Sequence, residues 1–447
     1  MTLSTPIRNP DARSEATMTR RGWWLVVLNF LLPGSAQLIA GNRGLGRFGL
    51  RMMLLFWLIV AALVVVFLVK RTLVIEWATQ AWFLAGAEAF LIVFGLLWIV
   101  LTIDTLRLVH FVRVSGGGRW GIALFTVFAL VGGVGVAGYG VTLTATVRQT
   151  LGDIFTSGPS EPPVAGRYNI MLLGGDAGPG RSGMRPDSIS VISIDATTGK
   201  AVNIGLPRNL DQIPFRKGSP AAQLYPSGYG TGGRCDVDVC QLNSIYTEFT
   251  IYKSALYKGH ITAHSSAGIE AMRDALEGAT GLTIQYFAVV DMEGFAQLVD
   301  ALGGVTIDAK EKLPIADKGD ANGNPITTGW IYPGVQRMDG HTAQWYARSR
   351  ETTSDYDRMA RQRQLENAIL AQMNPANVLT KFQAVAAAGK QIITTDIPQS
   401  MLSYFVDLAD KTKSVGIVSL DLVPPTVPDP SNPDWAAIHA LLTSTIA

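Results

Sequence analysis

The chain has 447 residues, of which 48% are hydrophobic and only 16% charged, below the quarter usual for globular proteins. That balance points to a membrane protein, and the length allows two or three domains. The formal charge of +2 averages over unlike regions, and no basic run is interleaved with aromatics, which disfavours a nucleic-acid partner. The two cysteines, Cys235 and Cys240, are too few for a tetrahedral zinc site.

Residues 1–22 make a polar, basic tail with Arg8, Arg13, Arg20 and Arg21, expected in the cytoplasm. Apolar segments follow within 23–145, at 23–40, 52–69, 82–103 and 121–145. A spanning helix needs about 20 mostly apolar residues. The last three segments qualify. The first is short and holds Pro33, Gly34 and Gln37, which fits a re-entrant or interfacial piece. Arg43, Arg47 and Arg51 and the basic stretch 107–119 belong inside with the tail under the positive-inside rule. Three spans then leave residue 146 onward outside, with Lys70 and Arg71 on the disfavoured side. Four spans with an outside N-terminus reach the same end point. The expectation is a multi-pass protein of the cell membrane with an extracytoplasmic C-terminal domain at 168–447. Residues 146–167 read as a linker, because Ser157-Gly158-Pro159-Ser160-Glu161-Pro162-Pro163 is stiff and cannot build a core.

Beyond the linker, strands alternate with helices. Residues 168–173 form a strand ending at Gly174-Gly175-Asp176, and 188–194 a second. The turn Thr197-Thr198-Gly199-Lys200 leads to a third at 201–206. Ser265 or Ser266 caps a helix that runs to about Thr280 and stops at Gly281. A strand at 283–290, a helix at 292–302 and a strand at 305–309 follow. After 365 come a helix, a weaker strand near 417–423 and a terminal helix beyond Pro433. The alternation implies an α/β sheet covered on both faces.

Ligands of open α/β sheets sit beyond the carboxyl ends of the strands. Asp176 stands at such an end, Asp187 lies just before the next strand, and Arg208 follows the third. Residues 344–350 read as a strand, which points Arg348 and Arg350 the same way. From Asp355 a helix begins, with Arg358, Arg361 and Gln362 on one face. Arginines converging from several segments require a multivalent anion, and the guanidinium fork suits phosphate oxygens bidentately. Carboxylates beside them are explained by a hard divalent cation such as Mg²⁺, which shares the phosphate oxygens. The run 175–182 imitates a P-loop, but Pro179 removes a needed N–H and Asp176 would face the phosphates, so nucleotide binding is not expected. Cys235 and Cys240 lie close together in a polar loop. Outside a cell they would close a small disulfide loop, and in a reducing cytoplasm they would stay thiols.

An ordered set of motifs carries a family resemblance. It comprises Asn169-Ile170-Met171-Leu172-Leu173-Gly174-Gly175-Asp176, Arg185-Pro186-Asp187-Ser188, Leu206-Pro207-Arg208, Asp291-Met292-Glu293-Gly294-Phe295, Tyr346-Ala347-Arg348-Ser349-Arg350 and Arg358-Met359-Ala360-Arg361-Gln362. Together these resemble the LytR-CpsA-Psr family of cell-wall glycopolymer transferases over about residues 168–375. The insert bearing Cys235 and Cys240 is similar to actinobacterial members, which favours the disulfide. The resemblance implies an extracytoplasmic α-β-α sandwich with a central mixed sheet, after an α-helical transmembrane region. It implies a phosphotransferase that moves a glycopolymer, with its linking phosphate, from a polyprenyl pyrophosphate carrier to a peptidoglycan hydroxyl. Such an enzyme is ligase-like, needs no ATP and depends on Mg²⁺. Arg208, Arg348, Arg350 and Arg361 would hold the pyrophosphate, supported by Arg358 and Gln362. Asp176 and Asp187 would hold Mg²⁺, and one of them is the candidate base. The catalytic set is then Arg208, Arg348, Arg350 and Asp176. In two places the chain departs from the family: Ala177-Gly178-Pro179 stands where an arginine is common, and Asn209 where an aspartate is common. The alternatives are a hydrolase of the lipid pyrophosphate and a membrane-tethered binder or regulator without turnover.

Overall fold

The computed structural model describes residues 7–8, 10–176, 185–316, 318–319, 325–349, 354–372 and 393–446. Its contacts divide into two units, Met1–Gln149 and Thr150–Ala447.

The first unit holds helices α1 (Glu15–Leu31), α2 (Ser35–Ala40), α3 (Arg43–Val69), α4 (Arg71–Ala78), α5 (Ala81–Val109) and α6 (Gly116–Ile154). By length and composition α3, α5 and α6 can each cross a membrane. The first apolar segment is instead split at Pro33-Gly34. Ser14 starts α1 by accepting a hydrogen bond from the Thr17 N–H at 3.3 Å. Gly34, at φ 97°, then turns the chain into α2. A Cβ at Gly34 would lie 2.8 Å from the Gly46 carbonyl oxygen, so only glycine permits this approach to α3. Polar ties hold α1 and α2 to α5. Gln37, fully buried, donates from Nε2 to the Leu101 carbonyl at 2.7 Å and to Thr105 Oγ1 at 2.9 Å. Asn29 Nδ2 donates to Thr102 Oγ1 at 3.2 Å.

The second unit is built on a six-stranded mixed sheet. Its members are β1 (Arg167–Asp176), β2 (Arg185–Asp195), β3 (Ala201–Gly205), β4 (Tyr286–Asp291), β11 (Ile393–Thr395) and β12 (Ile417–Asp421), in the order β11-β4-β1-β2-β3-β12. The β1–β4 and β3–β12 pairs are parallel, the others antiparallel. Alternation along the strands sends side chains to opposite faces. Met171, Leu173, Ile189 and Val191 enter a large core with α8 (Leu242–Ile251), α9 (Ala267–Thr280) and α14 (Trp435–Ile446). Tyr168, Ile170, Ile194 and Tyr286 pack on the other face, against Tyr404, Phe405 and Leu408 of α13 (Leu402–Val415). The sheet is therefore covered on both sides, as expected. Ser266 caps α9 by accepting from the Ile269 N–H at 3.3 Å, and Gly281 ends it at φ 72°.

A smaller core gathers α10 (Met292–Leu302), β5 (Val305–Ala309), β6 (Leu313–Ile315), β9 (Gly329–Ile331), β10 (Gly334–Met338), α11 (Gly340–Arg348) and α12 (Asp355–Gln372). The strand expected at 305–309 exists as β5 but stands outside the central sheet, paired antiparallel with β10. One expectation fails here. Residues 344–348 are not a strand but the end of helix α11. The Asp339 carboxylate accepts from the Thr342 N–H at 2.8 Å and starts the helix. Ala343, Tyr346 and Ala347 then bury one face at helical spacing. Arg350, the second arginine of that expected strand, lies outside the described residues.

Candidate functional site

The site begins with a defect in the β1–β2 ladder. Gly174 pairs with Ser188 and Gly175 with Pro186, so Asp187 between them has no partner and bulges from the strand. A bulge re-aims a side chain and is enriched beside active sites. Asp187 thus stands inside β2 rather than just before it, because the ladder already starts at Arg185. Asp176 closes β1 at the same end, and its side chain lies outside the described residues.

Two arginines converge on the bulged carboxylate. Arg208 Nη1 lies 2.5 Å from Asp187 Oδ1. Its backbone is fixed three residues past β3, where the Leu206 N–H donates to Ile189 O at 2.9 Å. The Arg208 carbonyl accepts from the Asn243 N–H at 3.1 Å, tying it to the start of α8. Arg358 comes from the first turns of α12. Its Nη1 is 3.6 Å from the same Asp187 Oδ1, and Nη2 donates to the Asp187 carbonyl at 3.4 Å. The Arg358 side chain is 1% exposed, whereas Arg208 and Asp187 are each about a quarter exposed. A buried, fixed guanidinium beneath a reachable one is a preorganised positive site.

The three side chains expected on one face of α12 are buried together but serve different ends. Arg358 turns to the sheet. Arg361 Nε donates to Tyr346 O at 3.0 Å, and its Nη2 donates to Ser349 O. Gln362 Nε2 donates to Ala347 O at 3.3 Å. These carbonyls are among those a helix end leaves without internal partners. Arg361 and Gln362 therefore latch the end of α11, where Arg348 sits half-buried in the last turn. Burial pushes the Arg361 guanidinium below its ordinary value, against the pull of Glu311 at 3.8 Å.

A further pair lay beyond sequence reasoning. Arg363 Nη2 meets Asp421 Oδ1 of β12 at 2.7 Å. The pair lies across Gly205, where a Cβ would fall 2.2 Å from Arg363 Nη1. Glycine at the end of β3 leaves room for this pair, and a larger side chain would push the guanidinium aside. Burial raises the Asp421 carboxyl above its usual range, with Arg363 opposing. Among the described residues, no group of three or more histidine, cysteine, aspartate or glutamate side chains is placed to hold a metal ion. Cys235 and Cys240 are bonded to each other ahead of α8, with Cα atoms 5.7 Å apart.

A family model, LytR_cpsA_psr, matches residues 156–427. Biofilm regulatory protein A of Streptococcus mutans is 23% identical over 310 residues, covering 66% of this chain and 67% of that protein. A cell wall biosynthesis protein, LcpB, of Corynebacterium glutamicum is 36% identical over 123 residues, 27% of this chain and 28% of that one. The polyisoprenyl-teichoic acid–peptidoglycan teichoic acid transferase TagU of Halalkalibacterium halodurans is 22% identical over 295 residues, covering 62% and 80%. With the model spanning more than half of its length, the chain belongs to the LytR-CpsA-Psr family.

Proposed function

We propose that this chain is a multi-pass membrane phosphotransferase whose C-terminal unit works outside the cell. It moves a glycopolymer, with its linking phosphate, from a polyprenyl pyrophosphate to a hydroxyl of peptidoglycan. The observation that carries this reading is the bulged Asp187 between Arg208 and Arg358. Two guanidinium groups on one partly exposed carboxylate at a strand end are a fit for the oxygens of a diphosphate. The name of TagU, a transferase of polyisoprenyl-linked teichoic acid to peptidoglycan, supports the substrate class.

In the proposed reaction the acceptor hydroxyl oxygen attacks the glycan-bearing phosphorus. The bond from that phosphorus to the bridging oxygen breaks, and polyprenyl phosphate leaves with the bridging oxygen. The hydroxyl proton passes to a base, for which Asp176 and Asp187 are the candidates. Phosphoryl transfer needs mainly positioning and charge stabilisation. Arg208 holds diphosphate oxygens, supported from beneath by the buried Arg358, and Arg348 and Arg350 are the further candidates to join it. Arg361 and Gln362 act here by latching that end. ATP is not needed, because the carrier's own pyrophosphate bond is spent.

The donor set also fits a cation. The arginines take Oδ1 of Asp187, and Asp176 closes the neighbouring strand. The family resemblance assigns Mg²⁺ to Asp176 and Asp187; such a cation takes one or two carboxylates and completes its shell with phosphate and water. When bound, it would neutralise charge on the diphosphate; Asp176 and Asp187 would hold it. Incubation with a lipid-linked glycan, Mg²⁺ and peptidoglycan tests the reading. Covalent glycan–peptidoglycan product supports the transferase. Release of polyprenyl phosphate without that product assigns a hydrolase, and neither product assigns a binder.

A further inference from the structure

We infer that Trp330, Tyr332 and Lys312 form a docking platform for the glycan strand of the acceptor. Trp330 lies on β9 and is 40% exposed, and Tyr332, just past the strand, is 59% exposed. Ile331 between them is buried in the smaller core. Side chains two apart on an extended chain share a face, so both rings project outward, roughly 7 Å apart along the backbone. Lys312 Nζ stands 4.1 Å from the Trp330 ring centroid and 5.4 Å from that of Tyr332. The ammonium lies within cation–π reach of both rings and links them.

Exposed, braced aromatic rings cost solvation unless something covers them. A sugar ring matches such a surface: its C–H face packs on the aromatic face, and its rim of hydroxyls needs donors and acceptors nearby. The surroundings supply both. Asp308 and Lys310 form an exposed ion pair, and Glu311 is nearly half exposed. A rim of mixed sign suits a hydroxyl-rich polymer better than an anionic bilayer, which the carboxylates would repel.

The platform also connects to the arginines. Glu311, the residue before Lys312, faces Arg361 at 3.8 Å, and Arg361 latches the end of α11. The donor is gripped by its diphosphate, whereas the acceptor presents only a hydroxyl on a long chain. Placing that hydroxyl needs a separate contact for neighbouring sugars, and this face is suited to provide it. The inference rests on the transferase reading for its choice of acceptor.

The test is co-sedimentation of the full-length, detergent-solubilised protein with insoluble peptidoglycan sacculi. The Trp330→Ala/Tyr332→Ala variant should bind sacculi roughly tenfold more weakly. Its melting temperature should stay within about 2 °C of the parent, since both rings are exposed. Binding of polyprenyl pyrophosphate should not change. Trp330→Phe/Tyr332→Phe, which keeps the rings, should restore most of the affinity. Equal sedimentation of the double-alanine variant would overturn the inference. Quenching of Trp330 emission by brominated lipid in nanodiscs, with sacculi binding intact, would assign the face to the bilayer instead. If the parent binds sacculi through the rings but never binds polyprenyl pyrophosphate, the transferase reading falls and the platform stands.

Discussion

The C-terminal unit gathers arginines and carboxylates in two places, and they balance charge in opposite ways. At the end of β1 and β2, Arg208 and Arg358 share the single carboxylate of Asp187. Around α9, Arg216 and Arg273 are spread over Asp274, Glu277, Glu270 and Asp396. Burial holds the carboxyls of Glu270, Glu277 and Asp396 above their ordinary range. The α9 cluster thus sets four carboxylates against two arginines, and burial disfavours the charged form of three of them. At the strand end two guanidinium groups meet the Asp187 carboxylate, and a guanidinium keeps its charge at any ordinary pH. Residue type alone does not mark an anion site; the ratio and the burial of the partners do.

The sharpest way to break this contrast is to remove one arginine from each place. Arg208→Ala should lower transfer by roughly 100- to 1,000-fold, the usual cost of deleting one preorganised charge-stabilising donor. Its melting temperature should stay close to that of the parent, because Arg208 is partly exposed. Arg273→Met should do the reverse. It strands Glu270 and Asp396 without their cation, at a cost of roughly 3–5 kcal/mol in stability. The remaining folded enzyme should turn over normally. If Arg273→Met abolished turnover in a well-folded protein, the two clusters would not differ in kind.

Acidity separates the regions next. Burial pushes Glu366 of α12 up to about 7. A carboxyl with a raised folded pKa adds stability below its unfolded value, and that stability is lost as pH climbs through the folded value. Glu366, with Glu270, Glu277 and Asp396 in the same direction, should make the protein less stable from pH 4.5 towards 7. Glu366→Gln should flatten that slope, by up to about 3 kcal/mol. A melting curve that rises over this interval would contradict the assignment. The smallest effect expected is at Cys235–Cys240. Reduction should cost about 2 kcal/mol, as for a short closed loop, and leave transfer intact. Two titratable thiols in exported protein would remove the bond from the account.

The parts of this structure that rest on local chemistry were legible in the sequence. Ser266 and Gly281 bracket α9, and the turn at Thr197-Thr198-Gly199 joins two apolar strands, the second buried throughout. The failure at 344–348 was also local. The strand reading put Arg348 and Arg350 on one face, but Asp339 and Thr342 spell a helix cap ahead of that stretch. Neither the second sheet nor the partners of α12 could be read, because both depend on pairings far along the chain. β5 finds β10 across about 25 residues, and Arg363 finds Asp421 across 58. Shared helical spacing brought Arg358, Arg361 and Gln362 to one face. It could not tell that Arg361 and Gln362 would latch α11 while Arg358 turned to the sheet.

Cryo-electron microscopy of the full-length protein with a bound polyprenyl pyrophosphate tests the central claim most directly. Diphosphate oxygens should lie within about 3 Å of guanidinium nitrogens of Arg208, with Arg358 supporting them from beneath. A diphosphate seated elsewhere, with the Arg208–Asp187 contact untouched, would contradict the account.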